Sequence, residues 1–388
     1  MSLKERFEIT PGFRKWSLGL IGIGVLSLII GYIVYGTGDE VHQARFWGVL
    51  LHNSIYFLLI TNAVMFFFCA TTLSLAGFQV SFKRVTEAIS ACVPVIGGIT
   101  FLVMLCIVFG HKSMIYEWLD KAAVAKDAAL TGKKGFLNPG FFLTWTVLAI
   151  GLWSILGYKM RSMSRKTDDH PLSVEEGKKF MFKNTIWASL FIIWYALTIA
   201  AVIPWLWLMS LNAHWYSTLY SWYIFASSFV AGIALISVFV VYMKNKGYLQ
   251  FTNKEHLHDL GKFQFAFSIF WTYLWFAQFM LIWYANISEE TIYFKARAEG
   301  AYSGIFYLNL VINFLAPILI YMSTPTKRNY TVVTFMSVAL LFGHWLDFYQ
   351  IVFAGLIPDH VPMGLFDFGI AAGFVGVIIY QSGRVMAK

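Results

Sequence analysis

The sequence predicts an all-α polytopic membrane protein with about ten spanning helices, and three observations carry that expectation. Of the 388 residues 59% are hydrophobic and only 13% charged, about half the charged share of an ordinary soluble domain. The mean hydropathy is +0.65. Long apolar runs recur along the whole chain, each near the roughly 20 residues needed to cross a bilayer core of about 30 Å. No linker, low-complexity tract or soluble domain interrupts them.

The spans are read as Trp16 to Tyr35, Trp47 to Leu75, Ala88 to Phe109, Pro139 to Tyr158 and Ile186 to Trp207, followed by Trp215 to Met243, Phe263 to Ala285, Tyr302 to Met322, Val332 to Phe353 and Gly364 to Tyr380. Lys4, Arg6, Arg14 and Lys15 precede the first run like the start of a signal peptide. That run is too long for one and lacks a small-residue cleavage site, so a retained helix is expected. Gly19, Gly22, Gly24 and Gly31 suit close packing of this helix on a neighbour, although glycine is also common in membrane helices generally. Between the third and fourth spans, the alanine-rich stretch Ala122 to Leu130 suggests a short surface helix. The connection 159–185, with its mixed charge and His170–Pro171, reads as a loop.

Spans two and six share an edge tryptophan, a histidine and a serine: Trp47, His52 and Ser54 against Trp215, His214 and Ser217. This suggests two four-helix bundles, helices 2–5 (47–207) and 6–9 (215–353), with helices one and ten flanking them.

Orientation follows from the basic residues, none of which lies inside a span. With the N-terminus cytoplasmic, 21 of the 29 Lys and Arg fall on the cytoplasmic side and 8 on the other, which the positive-inside rule reads as both termini cytoplasmic. The net charge of +9 then reflects topology. Nucleic acid is not an expected partner, because no basic stripe is interleaved with accessible aromatic residues. Cys69, Cys92 and Cys106 all fall in spans and read as small core residues, without metal-site spacing or an even count for disulfides.

Charge is costly in a bilayer, so the ionisable residues in or beside spans are the informative ones. His344 and Asp347 in Gly343-His344-Trp345-Leu346-Asp347-Phe348 are three apart and share a helix face. They can relay a proton, or lock packing with Asn309 or Asn313 of helix eight. Glu87 sits in Lys83-Arg84-Val85-Thr86-Glu87, where the helix dipole and the neighbouring cations also explain a carboxylate. His258 and Asp259 precede helix seven and Asp367 opens helix ten. With His344 and Asp347 deeper and Glu87 and Asp259 near the cytoplasm, the polar sites enter from opposite sides, as two half-channels would.

His52 and His214 are expected at the non-cytoplasmic edge, within reach of a quinone headgroup or a neighbouring subunit, with simple edge polarity as the alternative. Phe263 to Tyr284 is dense in aromatics, which serve packing and interface anchoring or line a quinone-like pocket. Its Ser268, Thr272, Tyr273 and Gln278 offer hydroxyls and an amide to a hydrated proton path. Only His344 of the nine histidines looks deeply placed, which argues against a bis-histidine haem, and nothing resembles a Cys-x-x-Cys-His or iron–sulfur ligand run. No cofactor is expected on the chain itself, and any catalytic redox chemistry belongs to partners.

At His258-Asp259-Leu260-Gly261-Lys262-Phe263, at FSIFWTYLWFAQFMLIWYA from Phe267 to Ala285, at MSLNAHWYSTLYSWY from Met209 to Tyr223 and at GHWLDF from Gly343 to Phe348, the sequence resembles the F subunit of bacterial alternative complex III. That subunit type belongs to the polysulfide-reductase membrane-subunit family. The resemblance spans nearly the whole chain and implies two four-helix bundles in a multi-pass protein of the bacterial inner membrane. It implies a respiratory quinol:electron-acceptor oxidoreductase whose other subunits carry haem c and iron–sulfur clusters, with a homologous membrane subunit as the principal quinol site. A terminal oxidase and membrane lipids are further implied partners. This subunit type is proposed to conduct protons or couple conformationally, and the motifs carry over onto Glu87, His258, Asp259, His344 and Asp347. Leu206 and Asn212-Ala213 stand where relatives have an acid and Asp-Pro, so the resemblance gives helices five and six no protonatable site here. A structural anchor and a quinol-binding subunit are the alternative functions.

Overall fold

The computed structural model describes residues 7–167 and 172–387. Among them there is no strand, and ten helical segments are long and apolar enough to span a membrane. The chain is a multi-pass α-helical membrane protein. Its helices are α1 (Pro11–Gly31), α2 (Glu40–Leu73), α3 (Lys83–Ser90), α4 (Val93–Phe109), α5 (Lys121–Lys126), α6 (Ala128–Lys133), α7 (Pro139–Lys166), α8 (Val174–Leu197) and α9 (Ile203–Trp207), then α10 (Leu219–Asn245), α11 (Lys254–Ala285), α12 (Ser288–Ala298), α13 (Ser303–Leu310), α14 (Ala316–Tyr321), α15 (Thr324–Lys327), α16 (Tyr330–Leu356) and α17 (Leu365–Met386).

Side-chain caps start many of these helices, because the first backbone N–H groups have no partner inside the helix. Asp39 accepts from the N–H of His42 at 2.9 Å, Asn138 from Phe141 at 2.8 Å, and Asn329 from Thr331 at 2.9 Å. Pro at the first turn of α1 and α7 removes an N–H that would otherwise be unpaired. Asn286 ends α11 in the left-handed conformation at φ 49°.

Two membrane segments contain a π-helical turn just ahead of a proline, Thr198–Val202 before Pro204 and Val311–Leu315 before Pro317, and a further π turn, Tyr32–Gly36, ends the first span. Proline has no N–H for the ordinary bond to the carbonyl four residues earlier, and the π turn is one way for the backbone to accommodate the loss. The expected third span is also broken. It runs as α3 and α4 with a turn at Ala91–Cys92, followed by Pro94.

Around α2, the helices α4, α7 and α8 pack in a circuit; around α10, α11, α13–α14 and α16 pack in a second. The two circuits meet where α2 lies against α10. Gly232 makes that approach close, since a Cβ there would stand 3.1 Å from the Ala63 Cβ and from the carbonyl oxygen of Ile60. Both central helices are accordingly buried almost all round, whereas α1, α7 and α11 keep one wide apolar face outward. Lipid is as apolar as leucine, so this assembly is held by dispersion contacts and interhelical hydrogen bonds rather than by transfer out of water.

Helices α1 and α17 pair on the outside, with α17 against α2 and α3. Of the four glycines expected to allow close packing, Gly24 and Gly31 do: a Cβ on Gly24 would meet the Gly373 Cα at 2.4 Å, and one on Gly31 would overlap Phe366. Gly19 and Gly22 face open space.

Connections differ from expectation in three places. The alanine-rich stretch forms two short helices, α5 and α6, split by Asp127, which caps the second by accepting from Ala129 at 2.7 Å and Leu130 at 3.0 Å. Much of 159–185, expected as a loop, is helical, since α7 runs to Lys166 and α8 begins at Val174; His170–Pro171 lies outside the described residues. Residues 286–301 contain an unforeseen helix, α12, with Glu289 and Glu290 in its first turn and Lys295 and Arg297 in its last, the order the helix dipole favours. Cys69 and Cys92 are buried, but Cys106 is exposed on the outer face rather than in the core.

Candidate functional site

The helix α16 carries Gly343-His344-Trp345-Leu346-Asp347-Phe348 and turns it toward both circuits at once. On one side, His52 of α2 donates from Nε2 to the carbonyl of Trp345 at 3.1 Å, and the Trp345 indole donates to Asn53 Oδ1 at 3.0 Å. On the other side lie the groups that hold His344 and Asp347. Three residues of separation place these two on one face, as the spacing requires.

Asp347 is buried and accepts three hydrogen bonds from two other helices. Tyr223 of α10 donates its hydroxyl to Oδ1. Ser227, one turn further along α10, donates to Oδ2 at 2.8 Å, and the indole N–H of Trp271 in α11 donates to the same oxygen at 3.1 Å. Ionised carboxylates only accept, and three neutral donors aimed at one carboxyl are the means by which a membrane interior compensates for its lost hydration. Among the described residues, no basic side chain lies within ion-pair distance of Asp347.

Ser227 also stands 2.9 Å from His344 Nδ1, so its hydroxyl bridges the two titratable side chains. A hydroxyl has one hydrogen. While Ser227 donates to Asp347, its oxygen can only accept from His344 Nδ1–H, and His344 Nε2 is then the lone-pair nitrogen, buried and without a partner. When Nε2 takes up a proton, the resulting imidazolium can pass its Nδ1 proton to the Ser227 oxygen as the Ser227 proton moves to Asp347, which leaves the carboxyl neutral and the imidazole neutral with its proton on Nε2. The arrangement is thus chemically able to pass a proton from Nε2 to the carboxyl through one serine. Trp271 keeps the imidazole in place, edge to face at 5.5 Å.

Polar groups continue on either side. Toward α12, one turn beyond Asp347 on α16, the carbonyl of Ile351 accepts from the Arg297 guanidinium at 3.3 Å. Arg297 is buried, donates to the carbonyl of Tyr293 at 2.8 Å and lies 3.4 Å over the Tyr293 ring, which itself stacks on Trp215 at 3.8 Å. Toward the opposite end, Gln264 of α11 donates to Ser237 at 2.7 Å and to Ser337 at 3.0 Å and accepts from Tyr321 at 2.9 Å. Lys327 donates to the Tyr321 carbonyl and closes this cluster from the α15 side. Ser337 and His344 are two turns apart on α16, about 10 Å, with Asn313 of the Val311–Leu315 π turn packed against Gly343 between them; both polar atoms of the Asn313 side chain are buried and unpartnered.

The other candidates fall elsewhere. Glu87 is buried at the end of the first circuit, 2.7 Å from Arg84 and 3.7 Å from Lys83. Asp259 pairs with Lys262 at 2.7 Å beside a half-buried His258. Tyr273 faces outward, 64% exposed, away from Asp347. His52 is fully buried among Trp345, Tyr349 and Phe353 rather than at an accessible edge. His214 lies at the surface, 3.3 Å from Glu117 and 3.7 Å from Asp127. There the N–H of Leu130 holds the Asp127 carboxyl below the usual carboxylate range, with help from the Ala129 N–H and His214. Asp367 accepts from the Gly364 N–H at 2.9 Å and has Arg45 at 3.8 Å. Helix eight does not supply the partners of Asp347: Asn309 donates to Gln350 instead, at 3.3 Å.

Sequence reasoning missed Tyr223, Ser227, Arg297 and Gln264. Tyr223 and Ser227 are four apart in α10, one turn, and that spacing was the available signal; for Arg297 it was the acidic-to-basic order of α12. Among the described residues, no three His, Cys, Asp or Glu side chains gather as a metal site. No family model matches the sequence, and no curated protein is significantly similar to it.

Proposed function

We propose that this chain is a proton-carrying membrane subunit of a respiratory quinol-oxidising complex, with Asp347, Ser227 and His344 as the transfer site. The observation that carries the reading is the single hydroxyl of Ser227 shared between a buried carboxyl and a buried imidazole. A packing lock needs satisfied partners; it does not need an imidazole whose second nitrogen is left uncommitted in a membrane interior. The resemblance to the alternative complex III F subunit supports the wider setting, a bacterial inner membrane with a homologous membrane subunit binding quinol and haem c and iron–sulfur clusters on other subunits; the distribution of Lys and Arg supports both termini being cytoplasmic. In this proposal the cluster of Gln264, Ser237, Ser337 and Tyr321 serves one side of the membrane and the Arg297 region the other. Hydration of the two turns between Ser337 and His344 joins them.

The test is quinol oxidation and proton release by the purified, reconstituted complex carrying Asp347→Asn. Asparagine keeps the size and can still accept from Ser227 or Tyr223, but holds no transferable proton. Intact assembly and electron transfer with proton movement reduced on the order of 100-fold is the expected result. Proton movement unchanged in an assembled complex would falsify the proposal and leave the site as a packing device.

A further inference from the structure

A cleft on the first circuit has no part in the site above. Its inner section, about 180 Å³, lies between α4, α7 and α17 and is lined chiefly by Val93, Pro94, Trp153, Gly157 and Met65. It continues through Tyr158 and Arg161 into a mouth of about 280 Å³ formed by Arg161, Ser162, Arg165 and Lys166.

Local sequence makes both sections. The turn at Ala91–Cys92 interrupts the helix, and Pro94 has no N–H to give the Ser90 carbonyl. Gly157 leaves the floor open, since the nearest atoms a Cβ there would meet are those of the Met65 thioether at 4.0 Å. Ser154, Tyr158, Arg161 and Arg165 follow at spacings of four, three and four, so one face of α7 passes from apolar depth to cationic mouth. The Ser154 hydroxyl is buried there without a partner. Arg161 is fixed by donating to the Val385 carbonyl of α17 at 3.2 Å.

Charge decides what fits. Among the described residues, no carboxylate lies within ion-pair distance of Arg161, Arg165 or Lys166, and the nearby Glu87 is already engaged by Arg84 and Lys83. Three cations at the end of α7, above an apolar groove that opens beside the outward-facing Ile155 and Tyr158, match a phosphate carried on acyl chains. We propose that this cleft binds one anionic membrane phospholipid, its headgroup phosphate on Arg161, Arg165 and Lys166 and an acyl chain in the groove beside Trp153, Gly157 and Pro94.

The experiment is native mass spectrometry of the full-length chain, delipidated and then offered an equal mixture of phosphatidylglycerol and phosphatidylcholine. Selective retention of one phosphatidylglycerol is expected. Each cation near an anionic lipid contributes about fivefold in affinity, so Arg161→Gln, Arg165→Gln and Lys166→Gln together should cut that retention by more than about tenfold. Gly157→Phe, which keeps every cation and fills the groove, should also lose the lipid, and it carries the test should the triple variant fail to fold. Equal retention of the two lipids, retention unchanged in a folded variant, or displacement of the lipid by inorganic phosphate alone would overturn the assignment; the last would make it a site for a soluble anion.

Discussion

Glu87 and Asp347 are both buried carboxylates on helices of an apolar bundle, and the two circuits treat them oppositely. Glu87, at the end of the first circuit, is matched by cations: Arg84 at 2.7 Å and Lys83 at 3.7 Å. Asp347, enclosed by the second, is matched by neutral donors from Tyr223, Ser227 and Trp271. A cation beside a carboxylate ties up its charge in an ion pair; neutral donors compensate for desolvation without supplying a counter-charge. The difference separates a carboxylate that anchors a helix end from one suited to exchange protons, although sequence alone gives both as an acid near a basic or imidazole neighbour.

The largest effect tests that separation directly. Asp347→Asn should reduce proton movement on the order of 100-fold, whereas Glu87→Gln in the same complex should leave it near the parent level. Equal losses from both would erase the distinction. Ser227→Ala comes next. It removes the bridge and leaves His344 and Asp347 without their common hydroxyl, so proton movement should fall by about tenfold while electron transfer continues. Tyr223→Phe removes a donor without touching the bridge, and its main cost should be stability, about 1–3 kcal/mol in a reversible unfolding measurement. A Tyr223→Phe loss of proton movement as deep as that of Ser227→Ala would shift the transfer route from serine to tyrosine.

Glu87→Gln should itself cost about 1–2 kcal/mol, because its partners Arg84 and Lys83 are partly solvated and retain water when the carboxylate is gone. A denaturant series on the isolated chain measures this, and a change below the Tyr223→Phe effect would keep the ordering of the two sites.

How much of this was legible in the sequence depends on the range of the interaction. Ten apolar runs gave the ten spanning segments, because crossing a bilayer is a local property of each run. The shared face of His344 and Asp347 was legible for the same reason: it is a spacing within one helix. Their partners were not. Tyr223 lies 124 residues and Trp271 76 residues from Asp347, and nothing in a single sequence ranks them above Asn309 and Asn313, which hydropathy placed at similar depth in helix eight. The segment from Phe267 to Ala285 likewise reads as one aromatic block, yet Trp271 turns inward to the carboxyl while Tyr273, two residues on, turns outward. Periodicity says that these residues face different ways; only the neighbours say which way is in. Arg297 was hidden by its position in a connection, where a buried cation is not expected, and α12 is short and amphipathic enough to escape a search for apolar runs.

Asp127 extends the comparison to a third carboxylate, one in water. It is held by backbone donors, chiefly the Leu130 N–H and then that of Ala129, and these keep its carboxyl below the ordinary value of 3.8. The sign follows from linkage: a folded-state value below the unfolded one gives stability that is fully present above about pH 4 and lost as pH falls through the folded value. The cap, and with it α6, should therefore loosen in acid below about pH 4 and be unaffected between neutrality and pH 5. Amide hydrogen exchange over residues 128–133, corrected for the intrinsic pH dependence of exchange, reads this directly. Asp127→Asn keeps an acceptor oxygen for the same two N–H groups but cannot titrate, so its corrected exchange should be flat with pH. Acid loosening that persists in the variant would show that the Asp127 cap is not its cause.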